Sequence, residues 1–193
     1  MKKFVFVLAL GLINFNSFSQ TMISSPDLLH IGDASSYSEN KELSQYVFNY
    51  FNDYRNSIGL ADFVWNDVAY TSAKTWNIFL AKNNVYGHSR NMYECDYEII
   101  NGTITNESYL GNESQNKIIA DSMLRSFLSS PYHEPVLCSE VKTAEQTYSK
   151  IKKDVFGGAF LKLAKYAAVS VVVKNMGGYT QYTLIMHLYI EKP

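Results

Sequence analysis

A run of basic residues is missing from this 193-residue chain, because its 17 Lys and Arg are dispersed among 18 Asp and Glu. Nucleic acid is therefore a poor candidate partner. The chain also lacks the Gly-x-Ser-x-Gly sequence that marks the nucleophile of many hydrolases, so no serine has a positional claim to that role. Internal repeats are absent as well, and nothing in the sequence indicates a second domain.

A long apolar run is also absent, since the stretch from Phe4 to Leu12 is too short to span a bilayer. This stretch follows two lysines and precedes the small residues of Ser17-Phe18-Ser19-Gln20, which is the pattern of a secretory signal peptide. We expect residues 1–19 to be removed by cleavage before Gln20. The mature protein is then predicted to be secreted or periplasmic, with no transmembrane segment.

Hydrophobic periodicity predicts helices first and a strand pair last. Apolar residues three or four apart predict helices over 40–58, 66–83 and 114–129, with a further helical stripe over 141–155. Strands are predicted over 97–100, 167–173 and 179–190, with a hairpin turn at Gly177-Gly178. Residues 20–39 are expected to form a loose N-terminal arm, and residues 40–193 a single α+β domain.

Only two cysteines are present, Cys95 and Cys138, and in an exported chain we expect them to form a disulfide. Cys95 lies between His88 and Glu98, and Cys138 follows His133 by five residues. The cross-link would therefore bring together residues suited to acid–base or metal chemistry, in one cleft. The alternative is that one of the cysteines is a reactive thiol beside His133.

One segment carries a family resemblance: Asn52-x-x-Arg55-x-x-x-Gly59-Leu60-x-x-Phe63-x-Trp65-Asn66, followed by Ala73 and Trp76. It resembles the CAP superfamily of cysteine-rich secretory, antigen 5 and pathogenesis-related proteins, and most of all the bacterial SCP-domain branch. His88-Ser89, Tyr97-Glu98-Ile99-Ile100 and Ser130-Pro131-Tyr132-His133 match later motifs in the same order. The resemblance covers residues 40–138 and the final hairpin.

This resemblance implies a three-layer α-β-α sandwich with a central, mainly antiparallel sheet. It also implies a cleft lined by His88, His133 and Glu98, with Tyr132 in place of a glycine beside His133. The family's second glutamate is absent, because residues 127–130 read Phe-Leu-Ser-Ser. Residues 139–163 have no counterpart in the family pattern.

The function implied by the resemblance is non-catalytic binding of a small apolar ligand, a cell-envelope fragment or a protein partner in this cleft. A first alternative is a metal-dependent hydrolase in which His88 and His133 bind a divalent metal such as zinc and Glu98 is the catalytic base. A second alternative is a structural envelope protein with a vestigial cleft. The missing second glutamate favours binding over catalysis, and His187 is expected to be a structural histidine.

Overall fold

The computed structural model of the protein describes residues 29–30, 36–89, 95–130 and 164–193. Tyr132, His133, Cys138 and the helical stripe predicted over 141–155 lie outside the described residues. The described helices are α1 (Lys41–Ser57), α2 (Asp67–Asn83) and α3 (Glu113–Ser129). The described strands are β1 (Leu29–His30), β2 (Ser36–Glu39), β3 (Val64–Trp65), β4 (Val85–Tyr86), β5 (Tyr97–Thr105), β6 (Tyr166–Asn175) and β7 (Thr180–Tyr189).

The central sheet has five strands in the order β2-β6-β7-β5, with β3 added beside β6. All neighbours are antiparallel except β3, which runs parallel to β6. The predicted hairpin of the last two strands is confirmed, and Gly177 in its turn has a φ of +78°, which favours glycine. Strands β1 and β4 form a separate two-stranded sheet.

Helices cover both faces of the central sheet. Helices α1 and α3 pack against each other and against one face, while α2 packs against β6 and β7 on the other. Because side chains alternate along a strand, Val169 and Val171 join the core under α1 and α3, whereas Ala168 contacts the α2 side. The predicted α+β sandwich of three layers is confirmed. None of the described helices is long and apolar enough to cross a membrane.

An asparagine begins each described helix, because its side chain accepts a hydrogen bond from a backbone N–H group of the first turn. These residues are Asn40, Asn66 and Asn112. Helix α1 ends just before Gly59, whose φ is +83°. The N–H of Gly59 donates to the carbonyl of Asn56 at 3.0 Å, and the N–H of Leu60 donates to that of Arg55 at 2.9 Å. This is the Schellman geometry that glycine permits at a helix end.

The Asn-x-x-Arg motif fixes the segment that follows α1. Asn52 donates from Nδ2 to the carbonyl of Phe63 at 3.0 Å and accepts from the N–H of Phe63 at 2.9 Å. The Nε of Arg55 donates to the carbonyl of Ala61 at 2.8 Å, and its guanidinium lies 3.9 Å from the centre of the Phe63 ring. These residues therefore hold the connection between α1 and β3, and their role is structural.

The structure differs from the sequence-based prediction in the bounds of two strands. Ser36–Glu39, expected in the loose arm, form β2 and pair with β6, so that the sheet begins before residue 40. The strand expected to end at Ile100 continues as β5 to Thr105. The polar residue Asn101 is 1% exposed and pairs with Leu184, because β7 continues beside it. Its side chain is held by polar contacts with α3.

Candidate functional site

Glu98 of β5 and His187 of β7 lie directly opposite each other in the central sheet. Oε2 of Glu98 lies 2.9 Å from Nε2 of His187. Both side chains project toward the α2 face, where Ser72 of α2 contacts the same histidine ring. The pairing of β5 with β7 therefore sets this contact.

His88 reaches the same carboxylate from a loop. Helix α2 ends at Asn84 in the left-handed conformation (φ 52°), and β4 carries the chain back toward the sheet. The indole N–H of Trp76 donates to the carbonyl of Gly87 at 3.0 Å, which fixes the residue before the histidine. Nδ1 of His88 then lies 2.8 Å from Oε1 of Glu98.

The carboxylate of Glu98 has polar partners on both oxygens. Besides His88, the backbone N–H of Ser89 donates to Oε1 at 2.9 Å, and His187 occupies Oε2. Because a carboxylate only accepts hydrogen bonds, the contacting nitrogens of the two histidines carry the protons. This leaves Nε2 of His88 as the ring nitrogen with no hydrogen bond in the described part of the chain.

Burial and charge define the electrostatics of the cluster. The exposed side-chain fraction is 0% for His187, 8% for Glu98 and 15% for His88. Burial raises the pKa of Glu98, but the hydrogen bonds and electrostatic interactions with His187 and His88 outweigh burial and hold that pKa well below its usual range. Burial, with a contribution from the charge of Glu98, raises the pKa of the Tyr86 phenol.

Ser72 extends the cluster to helix α2. Its Oγ lies 2.7 Å from Nδ1 of His187, 3.0 Å from the carbonyl oxygen of Ala69 and 3.4 Å from the hydroxyl of Tyr189. Four side chains are thus connected in the order Ser72, His187, Glu98 and His88. They come from a helix, two strands and a loop.

The structure brings together some of the predicted site residues. His88 and Glu98 are in direct contact, while Tyr132 and His133 lie outside the described residues. Cys95 is buried and forms no disulfide among the described residues, and its predicted partner Cys138 lies outside them, so the disulfide stays a prediction. Among the described residues, no group of three or more His, Cys, Asp or Glu side chains is arranged to hold a metal ion.

Sequence reasoning missed two participants in this cluster. The structural role expected of His187 agrees with its hydrogen bonds, but its contact with Glu98 also places it in the candidate site. The alternation of β7 puts it on a polar face, and only the pairing register with β5 identifies its partner. Ser72 carries no local signal, because a serine within an apolar helical stripe resembles any other small residue.

Similarity to known proteins identifies the family. Among curated proteins, no sequence matches this chain. The solved structure of an outer surface protein from Borrelia burgdorferi aligns over 81% of this chain and 100% of its own, with 11% identity and a TM-score of 0.47. The family model described as CAP, the cysteine-rich secretory protein family, matches residues 48–151, which is more than half of the chain. The protein therefore belongs to the CAP family of cysteine-rich secretory proteins.

Proposed function

We propose that this chain is an exported CAP-family protein that binds its ligand at a cleft around His88, without metal-dependent hydrolysis there. The ligand class is a small, largely apolar molecule or a cell-envelope fragment that offers a hydrogen-bond donor. Tyr132 and His133 are proposed to line the same cleft. Export rests on the signal-peptide pattern of residues 1–19.

The observation that carries the proposal is that both oxygens of the Glu98 carboxylate already accept hydrogen bonds within the protein. Its two oxygens accept from His88, His187 and the N–H of Ser89 at 2.8–2.9 Å. A general base needs an available oxygen and a pKa near the working pH, whereas the pKa of Glu98 is held well below its usual range, since its bonds to His187 and His88 outweigh burial. Glu98 is therefore suited to positioning His88 rather than to activating water.

The same bonds prepare His88 for binding. With its Nδ1–H donated to Glu98, the imidazole presents the Nε2 lone pair, and the side chain is 15% exposed. That nitrogen can accept a hydrogen bond from a hydroxyl or amide of a ligand. A buried carboxylate behind the ring fixes its tautomer and orientation, so recognition needs little reorganisation.

A divalent metal such as zinc is the second candidate for His88. Histidine ligands commonly donate their other ring N–H to a carboxylate, as His88 does to Glu98. One nitrogen is too few for a zinc site, so His133 and water would have to complete it. In this second case the metal would contribute to ligand binding and not to hydrolysis, because Glu98 remains hydrogen-bonded to its own partners.

Histidine NMR tests the proposal on the full mature chain. The protein is labelled at histidine Cε1 and titrated separately with muramyl dipeptide, 1-dodecanol and zinc chloride. The His88 signal is assigned as the one that is missing in His88→Ala, and we expect it to move with one probe in a saturable manner. His30→Ala, a change in strand β1, is the matched control and should leave this response intact. A His88 signal unmoved by all three probes, or zinc-dependent cleavage of muramyl dipeptide, would contradict the proposal.

A further inference from the structure

Ser72 forms one end of the hydrogen-bonded chain that runs inward to Glu98. Its hydroxyl contacts Nδ1 of His187 at 2.7 Å, and Nε2 of that ring contacts Oε2 of Glu98 at 2.9 Å. Ser72 is partly exposed, whereas His187 is fully buried and the Glu98 side chain is 8% exposed. Of the three residues, Ser72 is therefore the one that a reagent would approach from solvent.

The positions of the protons in these hydrogen bonds follow from the Glu98 carboxylate at the inner end. The ionised carboxylate of Glu98 requires a proton on Nε2 of His187. A neutral imidazole then has its lone pair on Nδ1, where it accepts the proton of the Ser72 hydroxyl. The same hydroxyl can instead donate to the carbonyl oxygen of Ala69 at 3.0 Å, and we assign its proton to the shorter contact of 2.7 Å with Nδ1.

These roles are those of a catalytic triad, which is recognised by geometry and not by the order of residues in the chain. We infer that Ser72 is a nucleophile, with His187 as its general base and Glu98 as the positioning residue, and that it accepts an acyl or phosphonyl group from a small ester-type electrophile. This activity lies beyond ligand binding at His88 and uses the other oxygen of Glu98. The proposed donor to the developing oxyanion is the Tyr189 hydroxyl, which lies 3.4 Å from Oγ of Ser72.

The proposed reaction with an aryl acetate is a two-step acyl transfer. Oγ of Ser72 attacks the carbonyl carbon, its proton passes to Nδ1 of His187, and the bond to the phenolate oxygen breaks. His187 then returns the proton to the phenolate or to solvent. Water attacks the acetyl-serine with His187 again as base, which releases acetate and restores the hydroxyl. A fluorophosphonate reacts in the same first step, with loss of fluoride, and stays attached to Ser72.

A fluorophosphonate probe tests the inference on the full mature chain. The protein is incubated with the probe, and intact mass and peptide mapping then identify the modified residue. We expect a single adduct on Ser72 and slow release of p-nitrophenol from p-nitrophenyl acetate. His187→Gln should lower the labelling rate by about 100-fold or more, which is the usual contribution of a general base. Peptide mapping of the wild-type protein locates the adduct even if a variant fails to fold.

Thr75→Ala provides the matched control. Thr75 lies one turn further along α2, is exposed, and donates to the carbonyl of Thr71 at 2.7 Å. Its variant should label at the wild-type rate. Absence of an adduct on Ser72, while a known serine hydrolase labels fully in parallel, would overturn the inference. So would labelling of Ser72 at an unchanged rate in His187→Gln, because the histidine would then not act as its base.

Discussion

Glu98 and His187 occupy directly opposed positions of β5 and β7, and their side chains meet at 2.9 Å between Oε2 and Nε2. A slip of one residue in the pairing would move every side chain of β5 to the opposite face. The same register buries Ile99 under α1 and α3. Formation of the hydrophobic core and assembly of the candidate site therefore depend on one alignment of two strands.

His187→Leu tests how much this contact stabilises the fold. The change removes the partner of Oε2 of Glu98 and one of the three polar contacts of the Ser72 hydroxyl, which leaves a buried carboxylate poorly compensated. We expect a loss of roughly 3 kcal/mol in the free energy of unfolding, as is typical when a buried charged group loses a hydrogen-bond partner. Urea unfolding measures it. Thr75→Ala should change stability by less than about 0.5 kcal/mol, and an equally small loss in His187→Leu would contradict the prediction.

Glu98 should make stability depend on pH in the acid range. Its pKa in the folded chain is lowered because its bonds to His187 and His88 outweigh burial, so its contribution to stability is present above the unfolded pKa of about 4.3. That contribution is lost as the pH falls through the lower folded value. We expect the free energy of unfolding to fall less steeply below about pH 4.3 in Glu98→Gln than in wild type.

The measurement for Glu98 is urea unfolding at a series of pH values, with Glu107→Gln as the control. Glu107 is an exposed carboxylate after β5, so its variant should keep the wild-type slope. Parallel pH profiles for wild type and Glu98→Gln would show that the carboxylate is not held in its charged form by the two histidines.

Most of the fold is predictable from the sequence because the strongest patterns agree with one another. The stripes of α1, α2 and α3 and the apolar run of β6 each need a covered face, and only a layered arrangement covers them all. The errors fall on Ser36–Glu39 and on the second half of β5. In both segments polar residues suggest loops, but the neighbouring strands β6 and β7 extend far enough to pair with them.

The candidate site is predictable only in part, for a physical reason. His88 and Glu98 occur in short motifs, so their residue types and order carry information. The contacts of His187 and Ser72 arise from strand register and from the orientation of α2, which are tertiary properties. Without the pairing of β5 and β7, the sequence alone does not show that His187 and Glu98 lie on the same face of the sheet.

The Asn-x-x-Arg motif should be a determinant of stability. Asn52→Ala removes two reciprocal hydrogen bonds to the backbone of Phe63, at 3.0 and 2.9 Å. We expect a loss of about 2 kcal/mol in the free energy of unfolding, because each net bond contributes about 1 kcal/mol. Urea unfolding measures the loss. Asn56→Ala on the exposed side of α1 is the control; equal losses in both variants would mean that the reciprocal bonds add nothing.

Zinc binding can be tested by thermal unfolding. If His88 and His133 share a metal, zinc chloride should raise the melting temperature in a concentration-dependent manner, because a ligand of the folded state stabilises it. The variant with both His88→Ala and His133→Ala should lose that response. His30→Ala should retain it. A zinc response that survives in the double variant would place the metal elsewhere in the chain.

Burial should make the thiol of Cys95 unreactive in the folded protein. Cys95 is 7% exposed and packs with Ala69, Tyr70, Ala168 and Tyr189. Burial first, and then the nearby charge of Glu98, raise the pKa of its thiol to about 12. The thiolate is the reactive form of cysteine. In the reduced, folded protein we therefore expect Cys95 to be alkylated by iodoacetamide far more slowly than in the unfolded chain.

The predicted bond between Cys95 and Cys138 is tested by counting thiols in unfolded, unreduced protein purified from an oxidising compartment. We expect no free thiols, and two per chain would refute the bond. Closing this loop corresponds to roughly 4 kcal/mol in the simple chain-entropy treatment. Reduction should therefore lower the melting temperature of the wild type. It should leave the variant with Cys95→Ser and Cys138→Ser unchanged, which separates loss of the bond from loss of the buried sulfur atom.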